Sequence, residues 1–284
     1  MSLGCIVDYY GALRWVNENA DKIDRLQNLE AVYAFCCRKF TALDMAVVAQ
    51  RSDVIKTLLR RGASTANLEF MMSHAGGDLD FMEVMSWCYD KGSKPGNFAM
   101  EKAIRDKNSS LVRSLFEHGA DPQSADIRGQ SVFDFAVSSG DLEIIGVFLD
   151  RGARITDSSL FFALRSENRR ELFRYLLRTG AKVNARNRSG ETILIRVCRS
   201  QKKEERYALA TLLLDHGADV NAALEEGYTS LIYASAAGYQ DVVNLLLERG
   251  ADWRMRDQAG RTALDFAVLK GNTSIISLLQ TAMQ

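Results

Sequence analysis

A Gly-Ala anchor returns along this chain at intervals that leave little choice of architecture. It stands in Arg61-Gly62-Ala63, His118-Gly119-Ala120, Arg151-Gly152-Ala153, Thr179-Gly180-Ala181, His216-Gly217-Ala218 and Arg249-Gly250-Ala251, with a weaker copy at Lys91-Gly92-Ser93. Successive glycines lie 30, 27, 33, 28, 37 and 33 residues apart. A period near 33 signals stacked copies of one supersecondary unit, none of which buries its apolar face alone.

Each anchor follows the same apolar doublets: Val54, Ile55, Leu58 and Leu59 before Gly62, and Leu111, Val112, Leu115 and Phe116 before Gly119. The set recurs as Ile144, Ile145, Phe148 and Leu149, as Leu172, Phe173, Leu176 and Leu177, and as Val242, Val243, Leu246 and Leu247. Positions i, i+1, i+4 and i+5 share one face of an α-helix. The glycine ends that helix, since it enters the left-handed region without a Cβ penalty. A second helix opens each unit at Thr41, Ser131, Thr192, Thr229 and Thr262, whose hydroxyls can cap the first turn. Asp44, Asp134 and Asp265 three residues on imitate the acidic half of a capping box. Turn glycines Gly129, Gly190, Gly227 and Gly260 precede four of these starts, as a tight β-turn finger requires.

These residues resemble the ankyrin repeat, a unit of about 33 residues with a Thr-Pro-Leu-His helix start and a Gly-Ala-Asp exit. The best copies are Asp215-His216-Gly217-Ala218-Asp219-Val220-Asn221-Ala222, Glu248-Arg249-Gly250-Ala251-Asp252 and Gly260-Arg261-Thr262-Ala263-Leu264-Asp265-Phe266-Ala267. The proline is absent from every copy. The resemblance implies an all-α solenoid of stacked helix-turn-helix units with short β-turn fingers, over residues 39–284. Residues 1–38 read as N-terminal capping helices, and the last repeat, 258–284, as the C-terminal cap. The short intervals predict truncated fingers ahead of the units starting near Glu69, Asn97 and Ser158. The interval of 37 predicts a longer loop between two helices near Gln201 to Glu205.

Catalytic and metal chemistry find little support. Of the three histidines, His118 and His216 hold one repeat position at a helix C-terminus, where an imidazole suits the dipole. His74 has no Cys or acid at ligand spacing. The five cysteines show no CxxC pattern, Cys36 and Cys37 being merely adjacent. Gly76-Gly77 lacks any phosphate-loop continuation. No enzyme activity, cofactor or metal is expected. Formal charge is +0, and no apolar run reaches the roughly 20 residues of a spanning helix. Without a recognisable export signal, and with unpaired cysteines, a reduced compartment is expected, cytoplasmic with the nucleus as the alternative.

The resemblance places partners on the finger tips and the exposed side of the first helices, together the concave face. Carried onto this chain, that face contains Arg128, Gln130, Arg188, Glu191, Arg196, Arg199, Glu226, Tyr228, Tyr233, Arg261 and Lys270 as the partner-binding set. Tyrosine and arginine are among the residues that dominate interface energies. Span 165–206 carries thirteen basic and five acidic residues, a local +8, which points to a partner protein with an acidic surface or peptide. A nucleic-acid binder using this span is a further, weaker alternative, because no aromatic interleaving accompanies the basic residues. The chain thus reads as a monomeric, non-catalytic scaffold or adaptor. A targeting or substrate-receptor module, such as a pathogen effector or ubiquitin-ligase adaptor, is the alternative, with residues 1–38 as the home of its docking motif.

Overall fold

The apolar doublets become buried helix faces throughout the computed structural model, which describes residues 51–63, 95–125, 129–200 and 203–283, with Leu43, Ala46 and Tyr89. The expected caps at residues 1–38, His74, Arg128 and four of the five cysteines lie outside the described residues. The helices are α1 (Ser52–Arg60), α2 (Asn97–Arg105), α3 (Ser109–Glu117), α4 (Val132–Ser139), α5 (Leu142–Asp150), α6 (Ser159–Ala163) and α7 (Arg169–Arg178). They continue as α8 (Ile193–Arg199), α9 (Lys203–Asp215), α10 (Ser230–Ala237), α11 (Gln240–Glu248), α12 (Ala263–Leu269) and α13 (Thr273–Ala282). Extended structure among the described residues is confined to single antiparallel bridges at the fingers, Ala125 with Ser131, Arg186 with Thr192 and Ala223 with Thr229. The protein is an all-α solenoid of helix pairs.

The chain divides into two compact units, Met1–Val132 and Phe133–Gln284. In the first, α2 and α3 pack as a pair, with Ala99, Met100, Ala103 and Ile104 facing inward from α2 and the expected Leu111 doublets from α3. In the second, the first helices α8, α10 and α12 lie side by side, and so do the second helices α7, α9, α11 and α13. The core between these two layers is apolar and closed: Phe173, Ile195, Leu213, Val242 and Leu246 are all fully buried. Phe133 and Phe148 meet as tilted rings 6.0 Å apart where α4 faces α5.

The helix ends show why the anchor is Gly-Ala. Gly217 takes φ +83°, and the next amide, of Ala218, donates back to Leu213 O at 3.0 Å. The same back-bond runs from Ala251 to Leu246 O at 2.9 Å, closing orphan carbonyls of the last turn. His118 and His216 each donate from Nδ1 to the carbonyl four residues earlier, at 2.8 Å, so both complete helix ends. Helix starts follow the Thr expectation. Thr192, Thr229 and Thr262 accept from the amides of Ile195, Ile232 and Asp265, and Asp265 completes a reciprocal capping box with Thr262. Asp134 of α4 reaches the next repeat, accepting from Thr156 Oγ1 at 2.9 Å and Ser159 Oγ at 3.0 Å at the start of α6. The finger ahead of α6 is short, as the 28-residue interval predicts: only eight residues separate α5 from α6.

The 37-residue interval resolves differently from the expectation. α8 ends at Arg199 and α9 begins at Lys203, and α9 runs 13 residues against 9 in α5 and α11. The extra residues therefore add a turn to the second helix. That turn is anchored by Arg206, which is buried, donates from Nε to Ser200 O at 2.9 Å and stacks on Tyr239 with its guanidinium carbon 3.2 Å from the ring centre. A Lys-Glu-Glu-Arg run has good helix propensity, and the buried arginine fixes it.

Successive repeats are stapled by polar side chains at the exits. Asn184 donates to Gly217 O and accepts from Asp219 N, and Asn221 repeats both bonds with Gly250 O and Asp252 N. Among the described residues no helix is long and apolar enough to cross a membrane.

Candidate functional site

Two of the three fingers around α8, α10 and α12 are tight hairpins built by an Asx residue three places ahead of the turn glycine, while Leu224 holds that place in the middle one and closes it by backbone bonds alone. Asn187 Oδ1 accepts from the amides of Ser189 and Glu191, and Asp257 Oδ1 from those of Ala259 and Arg261. Such a side-chain acceptor mimics a backbone turn and fixes the direction in which the residue after the glycine leaves. That residue is Glu191, Tyr228 or Arg261, in three successive repeats. Finger stacks on finger: Gln258 N donates to Glu226 O at 3.0 Å, and Arg186 Nη1 donates to Ala223 O at 2.9 Å.

Because α8, α10 and α12 are aligned, equivalent side chains form a grid. Glu191, Tyr228 and Arg261 make its finger row. Arg196, Tyr233 and Phe266, four residues past each capping threonine, make the middle row. Arg199, Ala236 and Leu269, one turn further, make the third. The rows interlock. Tyr228 and Tyr233 stack with centroids 5.4 Å apart, and Tyr228 meets Phe266 at 5.8 Å. Arg261 donates to Tyr228 Oη at 3.3 Å and lies over the Phe266 ring at 4.6 Å. Arg199 sits over the Tyr233 ring at 5.6 Å.

Charge is unequally compensated along the grid. Arg261 forms a two-pronged pair with Asp257 Oδ2, from Nε at 2.9 Å and Nη2 at 2.7 Å, and this guanidinium holds the Asp257 carboxyl below the usual carboxylate range. At the other end one carboxylate serves two cations. Glu191, its side chain 3% exposed, lies 3.6 Å from Arg196 and 3.3 Å from Arg199, each about half exposed at 52% and 50%. Asn187 Nδ2 also donates to Glu191 at 3.2 Å. Burial raises the Tyr233 hydroxyl above its ordinary pKa, against the pull of Arg199, so the ring stays neutral.

The structure thus brings together Glu191, Arg196, Arg199, Tyr228, Tyr233 and Arg261. Glu191 does not face solvent; it orients the two arginines above it. Arg188 and Glu226 are exposed finger-tip residues, and Lys270 is exposed just past α12. Gln130 belongs to the preceding, separate unit, where it is half-buried. Asp257, Phe266 and Asn187 escaped sequence reasoning. For Asn187 and Asp257 the signal was the Asx-x-x-Gly spacing shared by Asn187-Arg188-Ser189-Gly190 and Asp257-Gln258-Ala259-Gly260, and for Phe266 its place four residues past Thr262.

The basic span 165–206 does not form one patch. Arg206 is buried on Tyr239, Arg169 pairs with Glu205 at 2.5 Å, and Arg186 is spent on finger carbonyls. Arg170, Arg174 and Arg178 ride on α7, in the layer of second helices, whereas Arg196 and Arg199 ride on α8 in the layer of first helices. Among the described residues no group of three or more His, Cys, Asp or Glu is placed to hold a metal.

Residues 160–257 match the family model described as ankyrin repeats in three copies, and residues 100–149 match a second ankyrin-repeat model. An ankyrin repeat protein of known crystal structure, EF0377, is 30% identical, with a TM-score of 0.56, over 66% of this chain and 98% of its own. This chain belongs to the ankyrin-repeat family. The ankyrin repeat domain of Bcl-3, described as a unique member of the IkappaB protein family, shares the fold at 24% identity and a TM-score of 0.58, over 85% of this chain and 99% of that one. A comparison with curated proteins yields no match. Ankyrin repeats are in general protein–protein interaction modules, and the family is generally non-catalytic. Partly exposed aromatic and guanidinium groups converge on the grid of fingers and first helices.

Proposed function

We propose that this ankyrin-repeat chain is a non-catalytic scaffold that holds a partner protein across the fingers and first helices of its second unit, the face assigned to the concave side by family resemblance. The observation that carries the reading is the interlocked set Arg199, Tyr233, Tyr228 and Arg261. Four side chains from three repeats are held rigid by mutual contacts while staying partly open to solvent. Pre-ordered aromatic and guanidinium groups lose little entropy on binding, which suits them as interface anchors. Arg188, Glu226 and Lys270 flank the set and form its rim. Arg128 and Gln130 are proposed, on the repeat register alone, as contact residues of a finger in the first unit.

The test is crosslinking in cells of the protein's own organism with an amine-reactive reagent, comparing the parent with an R188E/R199E/Y228A variant of unchanged circular dichroism. The expected result is a partner crosslinked at Lys270 and lost in the variant. Capture that is unchanged in the variant overturns the assignment of this face.

A further inference from the structure

The two ends of the grid differ in chemistry, and that difference specifies a ligand. At the α8 end, Arg196 and Arg199 share the single buried carboxylate of Glu191, leaving one guanidinium charge without an acid of its own. At the α12 end, Arg261 is matched by Asp257, and Val268 and Leu269 are exposed apolar side chains, at 58% and 67%, just ahead of the exposed Lys270. Leu269 lies one helical turn past Phe266 and so on the same side of α12. Between Arg199 and Leu269 the equivalent residue is Ala236, the smallest side chain of its row. A low saddle, walled on one side by Tyr233 and Tyr228, therefore joins a cationic end to an aliphatic end.

Resting on the proposed scaffold reading, we infer that this saddle takes an extended protein segment with an acidic side chain at the α8 end and a large aliphatic side chain at the α12 end. Charge complementarity decides the first contact. A carboxylate set between Arg196 and Arg199 supplies the missing counter-charge in the planar geometry that guanidinium groups favour. Apolar burial decides the second, since Leu269 is the most exposed large hydrophobic of the described residues. The spacing follows from the fold. Neighbouring helices pack about 8–10 Å apart, so the two contacts are separated by about 16–20 Å across two intervals. An extended chain rises about 3.3 Å per residue, which places the acid and the aliphatic about five or six residues apart. The flat faces of Tyr233 and Tyr228 accept the intervening backbone and small side chains.

A phage-displayed library of random dodecapeptides, selected on the full-length protein, tests the inference. Enriched peptides are expected to carry Asp or Glu about five or six residues from Leu, Ile or Met. Isolated peptides should lose about tenfold in affinity on R196Q or R199Q. They should lose several-fold on L269S, with the loss on L269S vanishing when the peptide aliphatic is changed to Ser. Because either arginine substitution alters the setting of Glu191, the triple variant E191Q/R196Q/R199Q, which removes acid and cations together, serves as the control for folding. It is expected to select peptides without the acid. Peptides that depend on Tyr228 but show no acid-to-aliphatic spacing overturn this inference and leave the interaction face standing. A library that yields no peptide sensitive to Tyr228, Arg199 or Leu269 sinks both.

Discussion

Gly227 and Gly260 hold the same place in successive fingers with nearly the same backbone, φ +84° and +77°, yet their surroundings differ sharply. A Cβ on Gly260 would meet nothing within 4 Å. A Cβ on Gly227 would lie 2.6 Å from Arg256 O and 2.8 Å from Asp257 Cα, both backbone atoms of the next finger. Replacing either by alanine incurs the left-handed penalty, about 1–2 kcal/mol, offset by about 0.4–1 kcal/mol from the stiffer unfolded chain. Gly260→Ala should thus cost about 1 kcal/mol. Gly227→Ala adds an overpacking cost of about 1–3 kcal/mol, because backbone atoms cannot rotate away, for a total of about 2–4 kcal/mol. Urea unfolding of the full chain, followed by circular dichroism, reads the difference. At a slope of roughly 3 kcal/mol per molar urea the two midpoints should differ by about 0.3–1 M. Equal midpoints would show that the fingers yield without cost, and the close finger-to-finger packing behind the grid would have to be abandoned.

Other consequences follow from the charges and the thiol. Glu191→Gln removes two ion pairs whose arginines are half exposed, so it should cost only about 0.5–1.5 kcal/mol. R196Q/R199Q strands a buried carboxylate and should cost about 3–5 kcal/mol, and a urea series that ranks them the other way refutes the role given to Glu191. The amide and hydroxyl of Thr262 hold Asp265 below its ordinary pKa, so its contribution is fully present above the unfolded value near 4 and is lost as pH falls through the folded one. Asp265→Asn should therefore lower stability by about 0.5–1 kcal/mol at pH 7, with the gap closing in acid; a gap constant from pH 7 to pH 2 contradicts the capping box. Burial pushes the Cys198 thiol up to about 12, and iodoacetamide at pH 8 should leave it unmodified until the chain unfolds, as peptide mass mapping would show.

What the sequence determined by itself is whatever depends on neighbours a few residues away. The Val242-Val243 and Leu172-Phe173 doublets reveal a helix face because 3.6-residue periodicity is local. Gly217-Ala218 and Thr262 with Asp265 reveal helix ends because their bonds span three to five residues. Tertiary structure decided what depends on side chains brought in from other units. It put the extra residues of the long repeat into α9, where the guanidinium of Arg206 lies on the ring of Tyr239, 33 positions further along the chain. It scattered the basic span, spending Arg169, Arg186 and Arg206 on partners within the fold and leaving Arg196 and Arg199 to share one acid. It turned Glu191 from a surface contact into a buried support, and joined Tyr233 and Tyr228 of one repeat to Arg261 of the next in one connected set. A repeat pattern sets the stacking; which charges remain uncompensated is settled only when the copies pack, because each carboxylate chooses among cations that the linear order does not place beside it.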